Sequence, residues 1–418
     1  IARRRQERCA ELAARYVTLP EVSATRRTWS DRMSALTERP ITGVPILLLL
    51  LYLGLYKFVG QFGAGFLVDL LESRVFGAHV HPWVDGVLLR LLPAREGWHY
   101  WARELVGGHY GVITMGVTYA VAIVLPIVAV FFLFFAVLED TGYFPRLAML
   151  VDRVFKHIGL NGRAIIPLVL GLGCNTMGTI VTRIQETRRE RLITTVLMAM
   201  AIPCSAQFGV ITALLASQER GLFGVSYAFL IWMLVVLMVF ITAGIVVSRV
   251  LPGETAGFYM ELPPMRPPQL GNVVAKAVAR THNFLLEILP LFIAASVVIW
   301  LGRLTGLFDV LVAGFARVVG LLDLPASTGE TFLYGFFRRD LGAADLFRLA
   351  DQGLVSNNQM LVACVTLTLF MPCIAQLLVM KKVLGFRATL AVVGLVFVNA
   401  FGVGALLNQV LILTGVHL

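Results

Sequence analysis

Apolar runs of bilayer-crossing length recur along this chain, separated by short polar or charged breaks. A helix needs about 20 such residues to span a membrane. The pattern predicts seven spans, at Val44 to Phe62, Val112 to Leu138, Leu192 to Ala216, Leu222 to Val247, Phe284 to Trp300, Met360 to Met380 and Ala388 to Leu413. Two shorter glycine-containing stretches, Ala164 to Thr182 and Phe332 to Leu346, read as hairpins that enter and leave on one side. Residues 1 to 40 are polar and helix-like, with nine Arg and five acidic residues. Residues 63 to 108 carry Trp83, Trp98, Tyr100 and Trp101, which suit amphipathic pieces at the membrane interface. Pro252, Pro263, Pro264, Pro267 and Pro268 mark a linker. The expected organisation is a helical segment 1–40, a first span with an external segment 41–110, a first repeat 111–250, a linker 251–283, and a second repeat with the last span 284–418.

The repeat is visible in three ordered matches. Leu125-Pro126 recurs as Leu289-Pro290, and Thr141-Gly142-x-Phe144 as Thr305-Gly306-x-Phe308, both 164 residues on. Pro203-Cys204-x-Ala206-Gln207 recurs as Pro372-Cys373-x-Ala375-Gln376, 169 residues on, so five residues are inserted between. Arg183, Arg188, Arg189 and Arg191 precede the span that holds Cys204, whereas Lys381, Lys382 and Arg387 follow the span that holds Cys373. Positive charge collects on the cytoplasmic side, so the two copies run in opposite directions. Residues 303 to 358 hold five Arg and six acids and give no side. The fold class is an all-α polytopic membrane protein built as an inverted repeat with broken or re-entrant helices, an arrangement that transporters place around a midplane site. At the 169 offset Cys174 falls opposite Ala343, which predicts a site with two thiols from one half and one from the other.

Composition agrees with a bilayer setting: 58% of the 418 residues are hydrophobic and 14% charged. The net charge of +10 comes from arginines at the edges of apolar runs rather than a continuous basic patch, which argues against nucleic acid as a partner. By the same rule the N-terminus is cytoplasmic. The chain opens on Ile1-Ala2-Arg3 without a cleavable signal peptide, and the lack of an initiator methionine suggests a piece of a longer protein.

Five cysteines inside apolar surroundings point to free thiols rather than a secreted disulfide framework. Cys174, Cys204 and Cys373 each follow Gly or Pro, where a membrane helix breaks. Such breaks leave backbone groups unpaired at several kcal/mol each, so they belong around a cavity or an ion. Each thiol has a polar or soft neighbour on its own helical face: Met177 for Cys174, Met200 and Gln207 for Cys204, Gln376 for Cys373; Asn175, which follows Cys174, is a further secondary candidate. Soft ligands of this kind select Fe(II), Cu(I) or Zn over Mg and Ca. The bland reading of any one cysteine is a small core residue; Cys364 and Cys9 are read that way, as packing and head-segment residues. Glu139 and Asp140, at a span end, are secondary candidates to receive metal, though an acidic pair there is more often an anchor. His79, His81, His99 and His109 read as solvated, and Arg338, Arg339 and Asp340 as an Arg–Asp pair stabilising the second hairpin. Glu186 and the arginines from Arg183 to Arg191 form the densest charge cluster beside a break and suit a docking surface for a soluble domain.

Leu138-Glu139-Asp140-Thr141-Gly142-Tyr143, Gly171-Leu172-Gly173-Cys174-Asn175, Thr182-Arg183, Pro372-Cys373 and the Gly335 to Ala344 run together resemble the membrane domain of the bacterial ferrous-iron transport protein B family. The likeness spans residues 25 to 413. It implies two "Gate" repeats around an Fe(II) pathway in the bacterial inner membrane, with the family's pathway cysteines at Cys174, Cys204 and Cys373. It also implies a nucleotide-hydrolysing G domain, in cis or in trans, and a small FeoA-type protein as partner. One departure is large. No Gly-x-x-x-x-Gly-Lys-Ser/Thr loop occurs here, and none of the five lysines follows a glycine. GTP would therefore act only through a domain outside these residues, and nucleotide hydrolysis is not a property of this sequence. Three alternatives stay open: a carrier of another divalent metal such as zinc or manganese, a carrier of a nucleoside-like solute, and a membrane thiol oxidoreductase.

Overall fold

The computed structural model describes residues 34, 36, 37, 40–91, 98–108, 111–216, 226–253, 265–337, 339–370 and 372–414. The described elements are helical throughout. They are α1 (Pro40–Leu51), continued by π-type turns over Tyr52–Leu67 and Leu70–Val80, then α2 (His81–Leu91), α3 (Trp98–Gly107) and α4 (Leu125–Asp140). The chain goes on through α5 (Tyr143–His157), α6 (Ile165–Gly173), α7 (Asn175–Val181), α8 (Arg188–Ala201), α9 (Ser205–Ala216) and α10 (Tyr227–Val250). The second half comprises α11 (Leu270–Leu304), α12 (Leu307–Gly320), α13 (Thr328–Phe337), α14 (Arg339–Asp351), α15 (Asn357–Leu369), α16 (Ile374–Leu384) and α17 (Phe386–Thr414).

Six stretches are long and apolar enough to cross a membrane: Ile41–Arg90, Ala120–Asp140, Tyr227–Val250, Leu270–Leu304, Asn357–Leu384 and Phe386–Thr414. The protein is therefore a multi-pass, all-α membrane protein. Two expectations change. The span expected at Leu192 to Ala216 is divided into α8 and α9, because Pro203 can neither donate its backbone nitrogen nor tolerate a helical residue before it. The first span does not stop at Phe62; helix continues to Leu91, since no proline interrupts the chain between Pro45 and Pro82.

Repeat equivalence is written into local geometry. Gly142 and Gly306 end the first helix of each repeat in the left-handed region, at φ 75° and 72°, where a side chain is disfavoured. Each hairpin closes glycine on glycine. A Cβ on Gly178 would lie 3.0 Å from the Gly171 Cα and 2.7 Å from the Pro167 oxygen. A Cβ on Gly342 would lie 2.8 Å from the Gly335 Cα and from the Thr331 oxygen. After each hairpin a hydroxyl caps the next helix: Thr187 accepts from the Glu190 nitrogen, and Ser356 forms a reciprocal capping box with Gln359.

These landmarks relocate the insertion. The glycine pairs still obey the 164 offset, and the 169 offset begins only at the caps. The five extra residues therefore lie in the return limb, where α14 has 13 residues against seven in α7. Cys174 accordingly aligns with Arg338, and Asn175 with Arg339, not with Ala343 and its neighbour. Cys364 aligns with Thr195.

The first helices of the two repeats lie against each other head to tail. Glu139 pairs with Lys276 at 3.4 Å and with Arg280 at 2.8 Å, the Phe132 and Phe284 rings meet edge to face at 6.3 Å, and Gly116 faces Ile293. Residue numbers that fall along one helix rise along the other, so the repeat is inverted. Two large apolar clusters result. One surrounds α8, α10, α15 and α17 through Trp232, Phe332 and Phe370; the other surrounds α4, α5, α6 and α11 through Phe131, Phe135, Phe144 and Phe284.

Candidate functional site

Three cysteines occupy one kind of position, the residue before a half-helix. Cys174 is extended (φ −151°, ψ 113°) between α6 and α7, and its carbonyl accepts from the Gly178 nitrogen at 2.9 Å. The Cys204 carbonyl accepts from Phe208 at 2.8 Å at the start of α9, and that of Cys373 from Leu377 at 2.9 Å at the start of α16. All three are half-buried. A sulfur at the start of a helix faces backbone amides that lack an intrahelical acceptor. At Cys174 the Thr176 and Met177 amides and the Thr176 hydroxyl are directed at the sulfur.

The breaks are drawn together by side chains. Ser205 Oγ donates to the Gly173 carbonyl at 3.0 Å, tying the Cys204 break to the Cys174 hinge. Cys174 and Cys373 lie within electrostatic reach of each other and share the edge of one apolar cluster with Met177 and Ala375. Gly173 is required beside this hinge because the Phe131 ring would sit 2.2 Å from a Cβ there. Among the described residues no three His, Cys, Asp or Glu side chains gather into a metal-holding group. The three thiols thus do not make the closed, multi-ligand centre that holds metal structurally.

The amides behave unequally. Asn175 Nδ2 donates to the Ile202 carbonyl at 2.8 Å and Gln207 Nε2 to the Leu367 carbonyl at 3.1 Å, leaving both amide oxygens without a donor. Gln376 is wholly buried and neither of its polar atoms has a partner. A buried acceptor without a donor costs about 1–3 kcal/mol, so these oxygens suit a cation or its water shell.

A cavity of about 470 Å³ runs from Met177 and Leu170 to Glu139 and Arg280 at the helix ends. A second, of about 130 Å³, runs from Thr176 to the Glu287–Lys382 pair on the other side of α7. Both mouths are bridged by acid–base pairs. Glu139 and Asp140 are held by Lys276, Arg280 and the Gln269 nitrogen, so in this conformation they join the repeats.

Other sequence candidates fall elsewhere. Cys364 is fully buried, and Cys9 lies outside the described residues. His81 Nε2 meets the Thr118 hydroxyl at 3.2 Å and His79 Nδ1 the Arg74 carbonyl; His109 and the His99 side chain lie outside the description. In the charge cluster, Glu186 pairs with Arg163, Arg189 holds the Ser248 and Leu251 carbonyls, and Arg191 holds that of Gln185. Arg183, Glu186 and Arg188 stay exposed there, whereas Arg189 and Arg191 are part-buried on backbone carbonyls. Of the expected Arg–Asp pair, Arg338 and the Asp340 side chain lie outside the described residues. Arg339 donates to the Ala199 carbonyl at 3.1 Å and to that of Ile202 at 3.2 Å. Sequence reasoning gave Arg339 a local acidic partner rather than these carbonyls, although its alignment with Asn175 at the 164 offset marks it.

Fold and site together define a polytopic all-α membrane protein with paired helix breaks in inverted repeats. The nucleoside recognition (Gate) family profile matches residues 121–218 and 285–387, and the ferrous iron transport protein B C-terminus profile matches residues 229–280. The chain thus carries both Gate segments and, between them, a ferrous iron transport protein B C-terminal segment. Among similar proteins is the Fe(2+) transporter FeoB of Staphylococcus aureus strain COL, 27% identical over 63% of this chain and 43% of its own length. That of Escherichia coli K12 is 28% identical over 64% and 34%. The Fe(2+) transport protein A/Fe(2+) transporter FeoB fusion protein of Porphyromonas gingivalis is 26% identical over 66% and 30%. The chain thus spans less than half the length of these curated relatives. No solved structure matches.

Proposed function

We propose that this chain is the membrane conduit through which Fe(II) is moved into the bacterial cytoplasm across the inner membrane, with its N-terminus inside. The supporting observation is the common placement of Cys174, Cys204 and Cys373 at the electropositive starts of half-helices, with Cys174 and Cys373 drawn together from opposite repeats. The thiols supply soft ligands, Asn175, Gln207 and Gln376 supply amide oxygens, Met177 a thioether, and Glu139 and Asp140 a carboxylate pair at the mouth. Open, unequal stations suit an ion that must bind and then leave. Energy would come from a G domain in cis or in trans that binds GTP, and the fusion protein's name supports a small FeoA-type partner.

The test is Fe(II) uptake into vesicles by the full protein with Cys→Ser at each of the three positions. Uptake that is lost at each, with insertion intact, supports the pathway; unaltered uptake in the triple variant sinks it. The Gate profile's description favours a second reading, a nucleoside-like solute. Competition of unlabelled nucleosides against Fe(II) uptake separates the two, since only a shared solute path would show inhibition.

A further inference from the structure

Each break is closed by a side chain from the opposite repeat, and the two closures differ in charge. At the second break, Gln207 of the first repeat donates a neutral amide N–H to the Leu367 carbonyl near the end of α15. At the first break, Arg339 of the second repeat places a guanidinium on the Ala199 and Ile202 carbonyls at the end of α8. These carbonyls belong to a last helical turn, which carries partial negative charge and lacks backbone donors. Arg339 is only 4% exposed, and its Nε has no acceptor, so the carbonyls neutralise it incompletely. Ile202 is two residues from Cys204, and the start of α9 adds a second positive end at the same place. Asn175, aligned with Arg339, binds the same Ile202 carbonyl with a neutral group. The second repeat has therefore put a fixed cation where the first uses an amide.

We infer that Arg339 is a specificity-determining charge that holds the Cys204 break at positive potential, so that a divalent cation dwells at the Cys174–Cys373 side and only passes Cys204. The inference rests on the transport reading for its ion and on the structure for its charge. A buried unit charge within a few ångströms acts strongly in a low-dielectric site, and a divalent ion feels it twice over. An amide at that position would let the ion rest equally at both breaks.

The experiment uses full-length protein carrying one cysteine, Cys204 or Cys373, with the other thiols changed to Ser. Each is treated with a negatively and a positively charged methanethiosulfonate reagent of similar size. The ratio of the two rates reads local potential, because the ionisation of the thiol affects both alike. The negative-to-positive ratio should be at least about tenfold higher at Cys204 than at Cys373. Arg339→Gln should remove that bias, and Arg339→Lys should keep it, since the charge survives although the fork is lost. Equal ratios at the two cysteines with Arg339 in place, or a bias untouched by Arg339→Gln, would overturn the assignment. If Arg339→Gln fails to insert, the comparison of Cys204 with Cys373 still decides. Fe(II) uptake indifferent to all three thiols would sink the transport reading alone, and the reagent ratio would still judge the charge.

Discussion

The two repeats share a plan and differ in how much of it is covered. Following the left-handed glycine, α5 buries seven residues, from Tyr143 to Phe155, whereas α12 buries only Phe308 and Val319. On α12 and just beyond it, Leu307, Val310, Leu311 and Leu321 stay exposed, an apolar face suited to lipid. The helix α5 is instead roofed by extra chain, where Arg146 donates to the Ser34 hydroxyl and Leu150 packs on Gly43, and within its own repeat Asp152 accepts from the Gly162 nitrogen at 2.9 Å. Backbone geometry is thus set within each repeat, by glycines, prolines and caps, while burial is set by what surrounds it. Pro290 shows the same division. It sits inside the long α11, whereas its counterpart Pro126 opens α4 behind a π-type turn that absorbs its missing donor.

The strongest way to break this comparison is at the hairpins. Gly178→Val and Gly342→Val should each cost about 3 kcal/mol or more, because both positions abut backbone that cannot retreat. Thermal unfolding of the detergent-solubilised protein should show both collapsing, with Gly209→Ala and Gly394→Ala, which face open space, unaffected. Survival of one hairpin variant would end the claim of equivalence.

Function offers the next contrast. Cys174→Ser, Cys204→Ser and Cys373→Ser should each lower Fe(II) uptake roughly tenfold or more, as loss of a metal-orienting group does. Cys364→Ser should leave uptake alone, and a drop equal to the others would mean that the assay reads packing.

Caps sharpen the picture at about 1 kcal/mol. Thr187→Ala and Ser356→Ala should lower stability by similar amounts, with Ser356 losing more because its box is reciprocal. A negligible change at Thr187 would show that only the second repeat relies on this device. The smallest effect belongs to the contact between repeats. Glu139→Gln and Arg280→Gln, combined in a double-mutant cycle, should reveal a coupling below about 1 kcal/mol that fades with salt, given that both side chains are about a third exposed. Coupling that persists at high salt would mean that the pair is shielded from water.

Much of this was legible because it is local. Apolar runs fixed most spans, the Thr-Gly and Pro-Cys matches fixed the repeat, and Pro203 and Pro372 fixed the breaks. What escaped depends on partners distant in sequence. The placement of the insertion could not be read from the matches alone, because Gly171, Gly178, Gly335 and Gly342 reveal their pairing only when the hairpins close. Glu139 reads as either an anchor or a secondary metal receiver, and its ties to Lys276 and Arg280 of the other repeat show only in the fold. Arg189 reads as surface charge until its bonds to Ser248 and Leu251 place it under the end of α10. A charge pattern gives the side of a membrane, not the acceptor a guanidinium will find.

The longer α14 has a consequence for energetics of motion. Two identical halves related by an in-plane axis would have inward-facing and outward-facing forms that exchange under that two-fold rotation, hence of equal energy in a symmetric medium. Thirteen residues against seven in the returning limb lift that degeneracy. Were the proposed conduit to alternate its facing, the empty protein would carry a preference set by the chain itself, and an external drive would work against it in one half of the cycle and with it in the other.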